Sequence, residues 1–280
     1  MANNFICYVN GRYAAAGEAH LSPYDLAVLR GFAVFDYLRV YGGVPFHLDR
    51  YLARFVRSVS GMKVPLVESA GEIEEIIRRL IVENGGGDFA VRLLATGGIA
   101  NDGFSPPARG SLMVLFEPAP EPPLKAGDGI TLIQSEHLRE FPEFKTTGYL
   151  KAVSLHPRMI AAGASEMLYT WNGKVLECAR SNFFIFKDQT LITPRELILH
   201  GVTRGVTLEL AAGLFEVEVR PLAVSELAGA TEAFITGTSP KITPVVKIED
   251  YVIGNGRPGP NTLRLREKFL EYFAQQLARG

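Results

Sequence analysis

Phe144-Lys145-Thr146-Thr147-Gly148-Tyr149-Leu150, followed downstream by Val175-Leu176-Glu177-Cys178-Ala179-Arg180-Ser181-Asn182-Phe183-Phe184, is the part of the chain from which the rest is read. A lone lysine among small and apolar residues suggests an amine kept partly out of water. Desolvation disfavours the ammonium form and makes such an amine a usable nucleophile toward aldehydes. Glu177 lies 32 residues beyond Lys145, just ahead of an apolar run. A carboxylate there is suited to hold an aromatic ring nitrogen in its protonated state. By spacing alone the plainer reading prevails: an exposed lysine at a helix start and a glutamate in a turn.

Composition narrows the classes. Lys+Arg 29 against Asp+Glu 30 leaves a net charge of −1, so no global field favours nucleic acid or an anionic membrane. Hydrophobic residues make up 47%, ample for large cores, and the length suits roughly two domains. Two cysteines far apart, Cys7 and Cys178, argue against a disulfide framework. The five histidines form no short-spaced pair, so no metal site is expected. Cys178 directly follows Glu177, and it reads as a small packing residue rather than as a catalytic thiol. No signal peptide and no apolar run of membrane-spanning length is visible, so a cytoplasmic protein with no membrane partner is expected.

The element pattern is mixed. Asn10-Gly11 and Asn172-Gly173 each sit between strand-like runs, the strongest short hairpin signal. Ala33–Tyr41 is aromatic and β-branched; apolar residues at helical spacing follow over His47–Val59 and Ser69–Glu83. Phe89–Thr96 and Ser111–Phe116 read as strands. Pro118-Ala-Pro-Glu-Pro-Pro-Leu-Lys125 reads as a linker between a smaller α+β domain over 1–117 and a larger domain over 126–280 that carries Lys145. In the larger domain a helix is expected from about Thr147 to Ala162, then antiparallel strands, with further helices over Thr203–Ala212 and Asn261–Arg279.

With these segments in view, the chain resembles the fold-type IV pyridoxal phosphate (PLP) enzymes: branched-chain aminotransferases, D-amino acid transaminases and aminodeoxychorismate lyases. The resemblance runs over nearly the whole chain. It is carried by a K-x-x-G-Y-L segment, Lys145 to Leu150, and by an E-x-x-x-x-N-F-F segment, Glu177 to Phe184. It implies a two-domain α+β fold, a homodimer, PLP as cofactor, Lys145 as the residue joined to its aldehyde, and Glu177 as partner of its ring nitrogen. Ser181 and Asn182 belong to the same segment. Arg50, in His47-Leu48-Asp49-Arg50, implies a phosphate-binding guanidinium, whose planar fork suits the anion. Val202 and Thr203, at the turn into a helix, offer backbone N–H groups to that phosphate, and Thr238 and Ser239 offer hydroxyls. Tyr149, four residues after Lys145, returns to the lysine's face if the segment is helical; the resemblance makes it the partner of the cofactor's phenolic oxygen.

The substrate is read from arginines. Leu29-Arg30-Gly31-Phe32-Ala33-Val34-Phe35-Asp36-Tyr37 departs from the segment usual in branched-chain enzymes, and lyases tend to have threonines where Asp36 and Tyr37 stand. Joined to Val91-Arg92-Leu93-Leu94-Ala95-Thr96-Gly97-Gly98, it resembles a divergent group of D-amino acid transaminases. Arg30, Arg92 and Arg180 are therefore the candidates for holding a substrate carboxylate, each against the alternative of an ordinary ion pair. The expected activity is transfer of an amino group between an amino acid, D-glutamate or D-alanine for example, and a 2-oxo acid by a ping-pong route. A branched-chain L-amino acid aminotransferase is the alternative, with an aminodeoxychorismate lyase third.

Overall fold

A computed structural model of the protein describes residues 5–119 and 129–279. By contact the chain separates into two compact units. One is Met1–Glu121 with Phe144–Gly148 and Leu277–Gly280; the other is Pro122–Glu143 with Tyr149–Gln276. Most of the Pro-rich stretch 118–125 lies outside the described residues.

The first unit contains β1 (Ile6–Val9), β2 (Arg12–Ala15), α1 (Leu26–Arg30), β3 (Ala33–Tyr41), β4 (Val44–Pro45), α2 (Leu48–Gly61), α3 (Ala70–Glu83), β5 (Phe89–Thr96) and β6 (Ser111–Pro118). The strands form one sheet in the order β2-β1-β6-β5-β3-β4. β3 and β5 pair over their full length, from Ala33↔Thr96 to Val40↔Phe89. Because side chains alternate along a strand, Val34, Asp36, Leu38 and Val40 share one buried face of β3. Phe35, Tyr37 and Tyr41 share the other. α2 buries Tyr51, Leu52, Phe55 and Val59, a helical stripe worth about 1.5–3 kcal/mol for each large apolar side chain. α3 starts on a capping box: the Ser69 hydroxyl accepts from Glu72 N–H, and the Glu72 carboxylate accepts from Ser69 N–H.

The second unit contains β7 (Ile130–Glu136), α4 (Leu150–Ala161), β8 (Glu166–Trp171), β9 (Lys174–Cys178), β10 (Asn182–Lys187), β11 (Thr190–Thr193), α5 (Val202–Ala211), β12 (Glu216–Val219), β13 (Leu222–Ala223), β14 (Glu232–Gly237), β15 (Lys241–Ile248), β16 (Tyr251–Val252) and α6 (Pro260–Leu277). Among the described residues the sheet order is β12-β11-β10-β14-β15-β7-β8-β9-β13, with β16 on β15. Most pairings are antiparallel; β7 runs parallel to β8 and β15, and β11 to β12. Its core stacks Phe184 on Phe234 across β10 and β14, with ring centroids 4.7 Å apart. Glu232 caps α6 from β14, accepting from the backbone N–H groups of Asn261 (3.0 Å) and Thr262 (2.7 Å).

Two expectations change. Residues 145–147 are extended rather than helical: Thr146 bridges Val34, Phe35 N–H donates to Lys145 C=O (2.9 Å) and Thr147 N–H to Ala33 C=O (3.1 Å). α4 begins only at Leu150, with Tyr149 as its cap. The i,i+4 argument for Tyr149 therefore fails, because the segment spends its backbone bonds on the free side of β3. Those same bonds group Lys145 with the first unit, whereas the sequence reading assigns it to the larger domain. β15 went unseen in the sequence because Pro244 interrupts it; Pro244 lies just ahead of Val245, the first residue paired with β7. Among the described residues no helix is long and apolar enough to cross a membrane, and no cluster of His, Cys, Asp and Glu suits a metal.

Candidate active site

Lys145 enters the first unit as a short added strand. Its N–H donates to the Ser58 hydroxyl of α2 (3.1 Å) and its C=O accepts from Phe35. The strand pairing puts its side chain on the Phe35 face, and Nζ lies 4.4 Å from the Phe35 ring centroid. Arg92, on β5 opposite Tyr37, shares that face, with its guanidinium 5.8 Å from the Phe35 centroid and 5.3 Å from that of Tyr37. Its fork is held by Glu117 of β6 through Nε (2.7 Å) and Nη2 (3.2 Å). Arg30 closes α1, is exposed, and donates to Leu29 C=O. Asp25 fixes that helix by accepting from Ala27 N–H and from the Thr96 hydroxyl. Arg50 is half-buried in the first turn of α2. That helix begins on His47, held at φ 54, a conformation that costs a non-glycine residue about 1–3 kcal/mol.

In the second unit Glu177 is buried at 5% exposure and ringed by donors. Arg139 gives Nε (2.9 Å) and Nη2 (2.7 Å) to Oε1. Asn182 Nδ2 (3.2 Å) and Leu199 N–H (3.1 Å) serve Oε2. Arg139 also donates to Pro142 C=O, and Asn182 to Leu199 C=O (2.7 Å). This donor set favours the ionised carboxylate on geometry alone. Arg204, in the first turn of α5, adds a second positive charge whose field reaches Glu177; burial pushes its own guanidinium down. It donates to Pro194 C=O (2.8 Å), while its buried Nε has no partner among the described residues.

The same segments converge on the start of α5. Gly201 must be glycine, since a Cβ there would stand 2.2 Å from Asn182 Oδ1. Val202 and Thr203 follow, both buried, and Gly201, the cap position of α5, has no side chain with which to bond their N–H groups. Asn182 pairs with Thr236 across β10 and β14. At the next residue, Gly237, a Cβ would stand 3.3 Å from the Ser181 hydroxyl. The turn carrying Thr238 and Ser239 follows, half-buried. Thr236 Oγ1 is buried without a partner among the described residues. Glu177, Ser181, Asn182, Val202, Thr203, Thr238 and Ser239 are thus one neighbourhood. Phe141 and Leu197, in loops, and Lys241, at the start of β15, all take positive φ. An ionised carboxylate at one edge, and helix-start N–H groups with hydroxyls at the other, fit a cofactor with a protonated ring nitrogen and a phosphate.

Arg180 turns away from this neighbourhood. It is 64% exposed and pairs with buried Glu166 at 3.2 Å. Burial pushes Glu166 up, and Arg180 opposes the shift. Cys178 is pushed well above the ordinary thiol range, first by burial and then by the charges of Glu166 and Glu177. It is therefore a packing thiol and no nucleophile.

Arg139, Leu199, Arg204, Phe35, Ser58, Asp36 and Arg54 escape sequence reasoning. Only Asp36 carried a usable signal: a carboxylate at a core-facing strand position demands a partner, and Arg54, four residues after Arg50 on α2, supplies it.

Comparison with known proteins gives the family. A sequence model of the family described as Amino-transferase class IV matches residues 33–248. A putative branched-chain-amino-acid aminotransferase of Methanocaldococcus jannaschii is 33% identical over 273 residues, covering 94% of each chain. A D-alanine aminotransferase of Staphylococcus haemolyticus is 28% identical over 272 residues, covering 95% of this chain and 96% of its own. Among solved structures, a T.th. branched-chain amino acid aminotransferase complexed with N-(5'-phosphopyridoxyl)-L-glutamate superimposes with a TM-score of 0.88 at 28% identity, covering 97% of this chain and 94% of that one. The chain belongs to the class IV aminotransferases, and it is a PLP-dependent aminotransferase of fold type IV.

Proposed function

We propose that the enzyme transfers the amino group of a D-amino acid, D-glutamate or D-alanine, to a 2-oxo acid by a ping-pong route. The D preference rests on the resemblance of the Leu29–Tyr37 and Val91–Gly98 segments to divergent D-amino acid transaminases. The observation that supports the site is the placing of Lys145 and Arg92 over one aromatic ring, Phe35. A reacting amine and a carboxylate-binding fork then share one sheet face. Glu117 fills that fork as a substrate carboxylate would. Arg30 and the exposed Arg180 are further candidates for the same task.

When bound, PLP supplies an aldehyde and a ring that accepts the electron pair left on the substrate carbon. Lys145 Nζ would take the substrate's Cα proton as general base. Glu177, met by Arg139, Asn182 and Leu199, would hold the proton at the ring nitrogen. Arg50, the N–H groups of Val202 and Thr203, and the Thr238 and Ser239 hydroxyls would hold the phosphate, and Tyr149 would donate to the phenolic oxygen. On the same reading the enzyme is a homodimer, as the family resemblance implies, and works in the cytoplasm.

A second reading, a branched-chain L-amino acid aminotransferase, is favoured by the relative at 33% identity. Half-reactions separate the two. The holoenzyme is expected to show a yellow band that borohydride removes and that Lys145→Ala lacks. D-glutamate or D-alanine should bleach the band. Bleaching by L-leucine alone would falsify the D-specific reading.

A further inference from the structure

Lys145 is clamped at both ends of its peptide unit, and the two clamps come from different elements. Its N–H goes to Ser58 on α2, and its C=O accepts from Phe35 on β3. The aim of its side chain therefore depends on how α2 and β3 are registered against each other. One buried contact sets that register. Asp36, fully buried on β3, takes Arg54 of α2 in a two-point grip: Nε to Oδ2 at 2.9 Å and Nη2 to Oδ1 at 2.6 Å. Asp36 Oδ1 also accepts from Tyr37 N–H (2.7 Å), which fixes the carboxylate's own orientation.

The chain of contacts then runs without a gap. Ser58 donates its hydroxyl to Arg54 C=O (3.1 Å), one helical turn back, so its lone pairs face the Lys145 N–H. Residues 54, 58 and 61 fall at i, i+4 and i+7 on one face of α2. Gly61 admits the ring of Phe144, the residue before Lys145; a Cβ there would meet that ring at 2.2 Å. On β3, alternation turns Asp36 toward α2 and its neighbour Phe35 toward Lys145 Nζ. A buried ion pair is weak evidence for stability, because apolar residues of similar volume often do as well. Its bidentate geometry does what apolar contact does not, which is to fix a direction.

We propose that Asp36, Arg54 and Ser58 are positioning residues that set the aim of the Lys145 amine. The proposal rests on the reading of Lys145 as the reacting amine. Displacement of a reacting group by about 1 Å costs on the order of 10²-fold in rate, so the relay acts on turnover rather than on affinity.

Two variants test it: the double variant Asp36→Val/Arg54→Met, which replaces the pair by apolar side chains, and Ser58→Ala, which removes the hydroxyl that accepts from Lys145 and donates to Arg54. Two readouts are taken, steady-state kinetics of the holoenzyme and amide hydrogen exchange at Lys145 in the apo protein. Expected are a fall in kcat of about 10-fold or more with KM held within about two-fold, and Lys145 exchange about 10-fold faster. Exchange in the middle of β5 should stay unchanged. Should the double variant fail to fold, Ser58→Ala decides on the same readouts. Wild-type kcat and exchange in the folded variants would overturn the proposal, as would a loss of kcat with Lys145 exchange unaltered. If no amino acid is turned over at all, the function reading fails, and exchange at Lys145 still decides the relay.

Discussion

Lys145 and Glu177 are anchored in opposite ways. Lys145 is fixed through its backbone, by one N–H to Ser58 and one C=O from Phe35, and its amine rests on the face of an aromatic ring. Glu177 is fixed through its side chain, with both oxygens bound by Arg139, Asn182 and Leu199. On the proposed function the difference suits the two roles: the proposed reacting amine meets the face of a ring, a soft contact, and the carboxylate proposed to partner the ring nitrogen is met by directed donors.

The contrast is most open to attack at Arg139. Arg139→Met removes two donors and leaves a buried carboxylate without its charge partner, which is expected to cost about 3–5 kcal/mol of unfolding free energy in urea titrations. A loss below about 1 kcal/mol would remove the contrast. Next in size is Glu177→Gln. A neutral amide holds no proton at N1, so kcat in a stopped-flow half-reaction should fall about 10²-fold while the fold persists. The soft side is probed by Phe35→Leu, which deletes the ring face under Lys145 and leaves the backbone clamp. It should cost about 1 kcal/mol or less in stability and only a few-fold in kcat.

The smallest effect sharpens the point at the surface. Glu226, like Glu177, is ringed by donors: Arg220 through both Nη atoms (2.9 Å each), Lys187 (2.8 Å) and Ala223 N–H (3.0 Å). Those bonds, Arg220 first, pull its carboxyl down to about 2 from an ordinary 4.5. A depressed carboxyl contributes stability above its unfolded value and loses it as pH falls through the folded one. The Glu226→Gln penalty should therefore be present at pH 7 and fade between about pH 4.5 and about 2. Its size is about 1 kcal/mol or less, since water and salt screen the cluster. Urea midpoints of both proteins across that range check it.

Much of the frame was legible. The strand of Ala33–Tyr41, the helix of α3 and the hairpin at Asn172-Gly173 follow from local period and turn chemistry, which adjacent residues encode. Lys145 and Glu177 were legible through their flanking motifs. Apart from Asn182, which lies in the same motif as Glu177, the partners that hold them were not, because they come from distant points in the chain. Arg139 reaches Glu177 across 38 residues, and Ser58 reaches Lys145 across 87. Tyr149 shows the limit most plainly: its place on the lysine's face presupposed a helix, and the free side of β3 claimed the segment instead.

The sequence by itself determined the family and the cofactor and singled out Lys145 and Glu177 as candidates, because the resemblance rests on two short motifs of adjacent residues. Only the tertiary structure decided what each is bonded to. It joined Lys145 to α2 and β3, closed the shell around Glu177, engaged Arg92 with Glu117 and turned Arg180 toward Glu166. The physical reason is that buried polar groups must find partners, and packing, not sequence distance, chooses which ones are within reach.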